Sequence, residues 1–95
     1  MKSKEAYAKK TEAQMKEWSA EVNKLQAKAE QADADARIKM NEEIEKLQAR
    51  QALAAEKLED LKASGDDAWE DLKLGLDQAR SALSDSMESA RARFS

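Results

Sequence analysis

Proline and glycine, the residues that most often interrupt a helix, are almost missing from this chain of 95 residues. There is no proline, and the two glycines are Gly65 and Gly75. Long uninterrupted helices are therefore the simplest interpretation. The composition agrees, because 39% of the residues are charged and only 4% are aromatic. A mixture of charges with few aromatics is typical of long helices and coiled coils.

The first predicted helix covers residues 3–63, where nearly every residue is a strong helix former. Acidic and basic residues four positions apart support it, as in Asp33 and Arg37. Each such pair favours a helix without selecting its tertiary partner. The whole chain, residues 1–95, is then one elongated helical domain.

The break after this helix is predicted at residues 64–66, which are Ser64, Gly65 and Asp66. Gly65 is expected to end the first helix in a left-handed conformation, and Asp66 is expected to cap a second helix over residues 67–94. The alternative is one continuous helix that tolerates Gly65.

A stripe of mostly apolar residues follows both predicted helices, with a mean step close to the 3.6-residue period of a straight α-helix. If the chain folds back at Gly65, the two halves of the stripe meet in an antiparallel helical hairpin or coiled coil. The predicted fold class is therefore all-α. The residues expected to pack in the hairpin are Met40, Leu47, Leu58, Leu72, Leu76, Leu83, Met87 and Phe94.

The hairpin leaves the N-terminal half of the first helix projecting without an intrachain partner. Large apolar residues on that half are Tyr7, Met15, Trp18, Val22 and Leu25. A projecting apolar stripe usually packs against a second copy or against another protein. We therefore expect a homo-oligomer formed through these residues, with another helical protein as the alternative partner.

Enzymatic and metal-binding functions find little support in the residues. The chain has neither histidine nor cysteine, which removes the usual proton shuttle, a common nucleophile and the commonest soft metal ligands. The net charge is −3, without the basic face that a nucleic acid requires. We expect a non-enzymatic protein with no catalytic residues, no metal site, no cofactor and no nucleic-acid partner.

Basic residues flank the apolar face of the predicted second helix, whereas acidic residues occupy its far side. This arrangement is typical of helices that lie on anionic membrane surfaces. The candidate lipid-facing residues are Trp69, Lys73, Arg80, Arg91 and Arg93. In the competing interpretation, the flanking bases pair with acids of the first helix. A third hypothesis is a conditionally disordered desiccation protectant that becomes helical on drying.

No stretch of the sequence approaches the roughly 20 apolar residues of a membrane span, and no secretory signal is evident. The cytoplasm is the expected location.

The segment from Ala63 to Lys73 reads ASGDDAWEDLK, and Arg93 and Phe94 form an RF pair near the end of the chain. These features resemble a family of small bacterial coiled-coil proteins, often described as stress-response proteins. Its members join a charged, tryptophan-containing N-terminal helix to a similar segment and an RF ending. The resemblance implies a role in stress, with no enzyme activity and no established ligand.

Overall fold

The computed structural model describes residues 3–94, which form three α-helices. Helix α1 spans Ser3–Gln31, α2 spans Ala34–Ala63 and α3 spans Trp69–Phe94. The all-α fold class is therefore confirmed. The helices lie side by side in an elongated bundle that measures 51 × 19 × 18 Å.

The chain reverses direction at each connection. Glu12, in the first half of α1, meets Lys62 at the end of α2 at 2.8 Å, as antiparallel neighbours do. Arg93, at the end of α3, meets Glu43 near the start of α2 at 2.7 Å, so α2 and α3 are antiparallel as well. Helices α1 and α3 consequently run parallel to each other.

The core is formed by one apolar face of each helix. On α1 and α2 its positions alternate steps of three and four, which is the heptad spacing of a coiled-coil seam. The mean step of the apolar stripe in the sequence is longer, because that stripe runs through residues 32 and 33 and joins two separate helices. The buried core residues are Ala8, Thr11, Trp18, Val22, Leu25 and Ala29 on α1, Ile44, Leu47, Ala54, Leu58 and Leu61 on α2, and Leu76, Ala79, Leu83, Met87 and Ala90 on α3. The partly buried Met15, Met40 and Gln51 complete the spacing on α1 and α2.

The single helix predicted over residues 3–63 is wrong, because two helices meet at Ala32 and Asp33. The Asp33 backbone is extended, and its Oδ1 accepts a hydrogen bond from the backbone N–H of Ala36 at 3.0 Å. Arg37 Nη2 donates to the carbonyl oxygen of Ala32 at 3.2 Å. Asp33 and Arg37 therefore cap two adjacent helix ends. The prediction that the N-terminal half of the first helix projects is also wrong, since α1 folds back onto the bundle.

The second connection begins at the predicted place but has a different backbone conformation. Ser64 follows α2 with an extended backbone, and its hydroxyl donates to the Leu61 carbonyl oxygen at 2.6 Å. Among residues 3–94 no φ angle is positive. The expected left-handed conformation of Gly65 is therefore wrong, because Ser64 ends the helix without it.

Gly65 instead is the N-cap residue of the turn that leads into α3. Its carbonyl oxygen accepts hydrogen bonds from the N–H groups of Ala68 at 3.1 Å and of Trp69 at 3.3 Å. The residue whose carbonyl accepts the first helical hydrogen bonds is the N-cap. Asp66 lies in the turn that follows Gly65 and leads into α3, and its role as a cap stays a prediction.

We expect Gly65→Ser to raise the free energy of unfolding by about 0.5–1 kcal/mol. Serine is a better N-cap than glycine, and it loses less backbone entropy on folding. A β-carbon fits, because no neighbouring atom lies within 4 Å of its position. Urea denaturation followed by circular dichroism measures the change. Gly65→Ala is the control, since alanine lacks the acceptor; equal gains from both variants would contradict the capping role.

Most of the residues expected in the hairpin lie in the core. Met40 and Phe94 are partly buried and pack against it. Leu72 is the exception, because 39% of its surface is exposed. Trp69, three residues earlier, is partly buried and packs against the core at this end of α3.

Candidate functional site

A cluster of aromatic and cationic side chains lies where the first half of α3 faces α1. The ring centroids of Tyr7 and Trp69 are 6.2 Å apart, with an angle of 45° between the planes. The Lys73 ammonium lies 5.3 Å from the Tyr7 centroid and 6.0 Å from that of Trp69. The Arg80 guanidinium carbon lies 5.4 Å from the Tyr7 centroid. At distances up to about 6 Å the ring quadrupole attracts a cation. We name Tyr7, Trp69, Lys73 and Arg80 the aromatic–cation cluster.

Hydrogen bonds hold this cluster between the two helices. The Tyr7 hydroxyl donates to Asp77 Oδ1. Arg80 donates from Nε and Nη2 to Gln14 Oε1, at 3.0 and 2.5 Å. Arg80 Nη1 also lies 3.8 Å from Asp77 Oδ1. The Tyr7–Asp77 and Arg80–Gln14 hydrogen bonds join α1 to α3, and together with the Arg80–Asp77 pair they fix the Arg80 guanidinium beside the Tyr7 ring.

Gln14 and Asp77 belong to this site, although neither was predicted from the sequence. Asp77 follows Lys73 by four positions and precedes Arg80 by three, so helical spacing places all three on one side of α3. That spacing is a usable signal for Asp77. Gln14 becomes recognisable once α1 is known to lie beside α3.

The environment of Tyr7 keeps its hydroxyl protonated. Burial raises the pKa of Tyr7 above its ordinary value of 10.0, and the hydrogen bond to Asp77 raises it further. The nearby Arg80 lowers the pKa and partly opposes these effects. A phenol held in this form is a hydrogen-bond donor at neutral pH and not a general base. The arrangement therefore suits packing and recognition rather than proton abstraction.

The ionisation of Tyr7 is directly measurable, because the chain contains one tyrosine. We expect the tyrosinate absorbance of the folded protein to appear with a midpoint above pH 10.0. Asp77→Asn is expected to lower this midpoint, because it removes the carboxylate. Since the folded-state pKa is raised, the associated stability is present below the unfolded pKa and is lost as pH rises through the folded pKa.

The control for this titration is Asp85→Asn, which removes a carboxylate eight residues further along α3. We expect the midpoint of this variant to remain close to that of the unchanged chain. A folded-state midpoint equal to that of the urea-unfolded chain would contradict the hydrogen-bonded position of Tyr7.

The five residues expected to form an external association surface lie within the bundle. Trp18, Val22 and Leu25 are buried, with 8%, 3% and 3% of their surfaces exposed. Tyr7 and Met15 are partly buried and pack against the core. The interpretation of an unpartnered stripe is therefore wrong, because α2 and α3 cover this face of α1.

The basic residues proposed to face lipid border the buried face of α3 and contact the other helices. Arg91 Nη1 lies 3.0 Å from Glu21 of α1, and Arg93 Nη1 lies 2.7 Å from Glu43 of α2. The structure thus contains the pairing of bases with acids that the competing interpretation expected. Both borders of the apolar face of α3 carry cations.

Within residues 3–94, no group of three or more potential ligand side chains is arranged to hold a metal ion. No helix in this range is both long and apolar enough to cross a membrane. No protein-family model matches the chain, and no curated protein or solved structure matches it significantly. The resemblance of residues 63–73 to the stress-response family stays a prediction.

Proposed function

We propose that this chain is a non-enzymatic helical-bundle protein that acts by self-association in a response to stress. The observation that supports self-association is the set of contacts that α1 makes with α2 and α3. Its heptad stripe packs against α2 and α3, and polar pairs connect α1 to residues far along the chain. An α1 helix from a second copy offers the same side chains. The polar pairs are Tyr7 with Asp77, Gln14 with Arg80 and Glu21 with Arg91.

Sedimentation equilibrium tests self-association on the full chain at concentrations of about 1 to 100 μM, because mass action favours association as concentration rises. We expect a reversible increase in mass from monomer to dimer. A tagged copy incubated with an untagged copy is expected to retain it on an affinity resin, whereas a tagged unrelated helical bundle does not. A monomer mass at all these concentrations would refute self-association.

The role in stress rests on the resemblance of the segment from Ala63 to Lys73 to the stress-response family. The expected result is that cells lacking this protein survive osmotic or drying stress less well, and that expression of the chain restores survival. Equal survival of both strains across these stresses would contradict the role.

A second candidate function, binding to anionic lipid surfaces, is favoured by the cations that border α3. Lys73 and Arg80 lie on the α1 side of its apolar face, and Arg93 lies on the α2 side. If the bundle opened on a membrane, this face would meet the acyl chains while the cationic heads reached the phosphates. The polar contacts between helices would then be exchanged for contacts with lipid.

Vesicle flotation tests this second candidate with phosphatidylglycerol vesicles, and with phosphatidylcholine vesicles for comparison. We expect binding to the anionic vesicles at low salt and its loss at high salt, because salt screens exposed charges. The double variant Lys73→Gln and Arg80→Gln is expected to bind less. The matched control, Lys16→Gln with Lys24→Gln, removes the same charge from exposed positions of α1. Equal binding by the two double variants, or no binding at low salt, would exclude this function.

A further inference from the structure

The connection between α1 and α2 is two residues long. It consists of Ala32 and Asp33, without glycine or proline. The φ angle of Asp33 is −67°, which is already helical, and its ψ angle is 169°. A helix requires ψ near about −42°. At Asp33, ψ is therefore the angle that departs from the helical value.

The apolar pattern does not distinguish the turn from a continuous helix. Ala29, Ala32, Ala36 and Met40 follow one another at steps of three, four and four. These steps keep apolar residues on one side of a straight helix. A helix extended through the connection would therefore carry one apolar stripe from α1 into α2.

Three side-chain hydrogen bonds favour the turn. Asp33 Oδ1 accepts from the N–H of Ala36 at 3.0 Å. Arg37 Nη2 donates to the carbonyl oxygens of Glu30 and Ala32, both at 3.2 Å. These backbone groups need side-chain partners because the helix is interrupted. In a continuous helix, the backbone itself would satisfy the interior groups.

From this balance we propose that Ala32 and Asp33 form a hinge, and that its straightening joins two copies of the chain in a domain-swapped dimer. In that dimer, residues 3–63 of each copy form one helix, and the two long helices run antiparallel. The α1 segment of each copy packs against α2 and α3 of the other. The inference rests on the proposed self-association and names its mechanism.

Two substitutions at the hinge are expected to shift the monomer–dimer equilibrium in opposite directions. Asp33→Ala removes the N-cap of α2 and adds a strong helix former, so we expect dimerisation to tighten about tenfold or more. Ala34→Pro is expected to weaken it. Ala34 is the first residue of α2, where proline is favoured, and Asp33 already has the extended backbone that precedes proline. A continuous helix would be broken by the same proline.

Cysteine cross-linking reveals which chain supplies α1, because the natural sequence has no cysteine. Gln51 Nε2 of α2 lies 3.3 Å from Ser19 Oγ of α1. Ser19→Cys is placed in one copy and Gln51→Cys in another, and the copies are mixed and treated with a short bis-maleimide. We expect cross-linked dimers in the Asp33→Ala background and none in the Ala34→Pro background. A single chain with both cysteines and Ala34→Pro is the positive control and is expected to cross-link internally.

The outcomes separate the hinge from the proposed function. Dimers that form without the 19–51 link between chains would overturn the hinge and leave self-association standing. A swapped Asp33→Ala dimer beside an unchanged chain that stays monomeric would support the hinge and refute the proposed function. An Asp33→Ala variant that is helical by circular dichroism but monomeric at about 100 μM would overturn the hinge, because removal of an N-cap should favour the continuous helix.

Discussion

Trp18→Ala is expected to lower the free energy of unfolding by about 3–5 kcal/mol. The Trp18 side chain is 8% exposed and lies in the heptad stripe of α1. Its removal takes apolar area out of the core and leaves a cavity between the helices. Because small proteins have a total stability of about 5–15 kcal/mol, this loss is a large share of it. Urea denaturation followed by circular dichroism measures the difference.

The same variant distinguishes the bundle from a hairpin with a projecting helix. In the projecting arrangement of one chain, Trp18 would be solvated before and after unfolding, and its removal would change stability little. Ile38→Ala is the control, because Ile38 is 60% exposed; we expect an effect within about 0.5 kcal/mol. Trp18→Phe provides a milder change if the alanine variant does not fold. Equal stabilities of the Trp18 and Ile38 variants would contradict the packing of α1.

Leu83→Ala is expected to cost about 2–5 kcal/mol of unfolding free energy. Leu83 is fully buried, with 0% of its surface exposed, near the middle of α3. The loss combines the transfer free energy of the removed carbons with the cost of the cavity that remains. Chemical denaturation, analysed with a common slope for both proteins, gives the difference.

Leu74→Ala is a closely matched control for Leu83→Ala. Both residues lie on α3, and the same atoms are removed from each, but Leu74 is 64% exposed. The intrinsic helix preference changes equally in both variants, so the difference between them reports burial. We expect Leu74→Ala to stay within about 0.5 kcal/mol of the unchanged chain. A cost for Leu74→Ala equal to that of Leu83→Ala would contradict the orientation of α3.

The candidate site was predictable to different degrees on its two helices. On α3, helical spacing alone places Lys73, Asp77 and Arg80 on one side. On α1, Tyr7 and Gln14 gain their roles from contact with a helix about 70 positions away in the sequence. Local spacing carries no information about which helices become neighbours, so the cluster was not recognisable as a unit.

The sequence by itself determined that the chain is helical, since strong helix formers and a regular apolar stripe act within a few residues of one another. It also determined the break after Ala63, because Ser64 and Gly65 favour a helix end. The reversal at Asp33 was decided by the tertiary structure. The apolar stripe is compatible with both a turn and a continuous helix there, and local preference favours the helix. Within one chain, α1 can pack against α2 and α3 only through the turn, and the Asp33 and Arg37 caps stabilise it further.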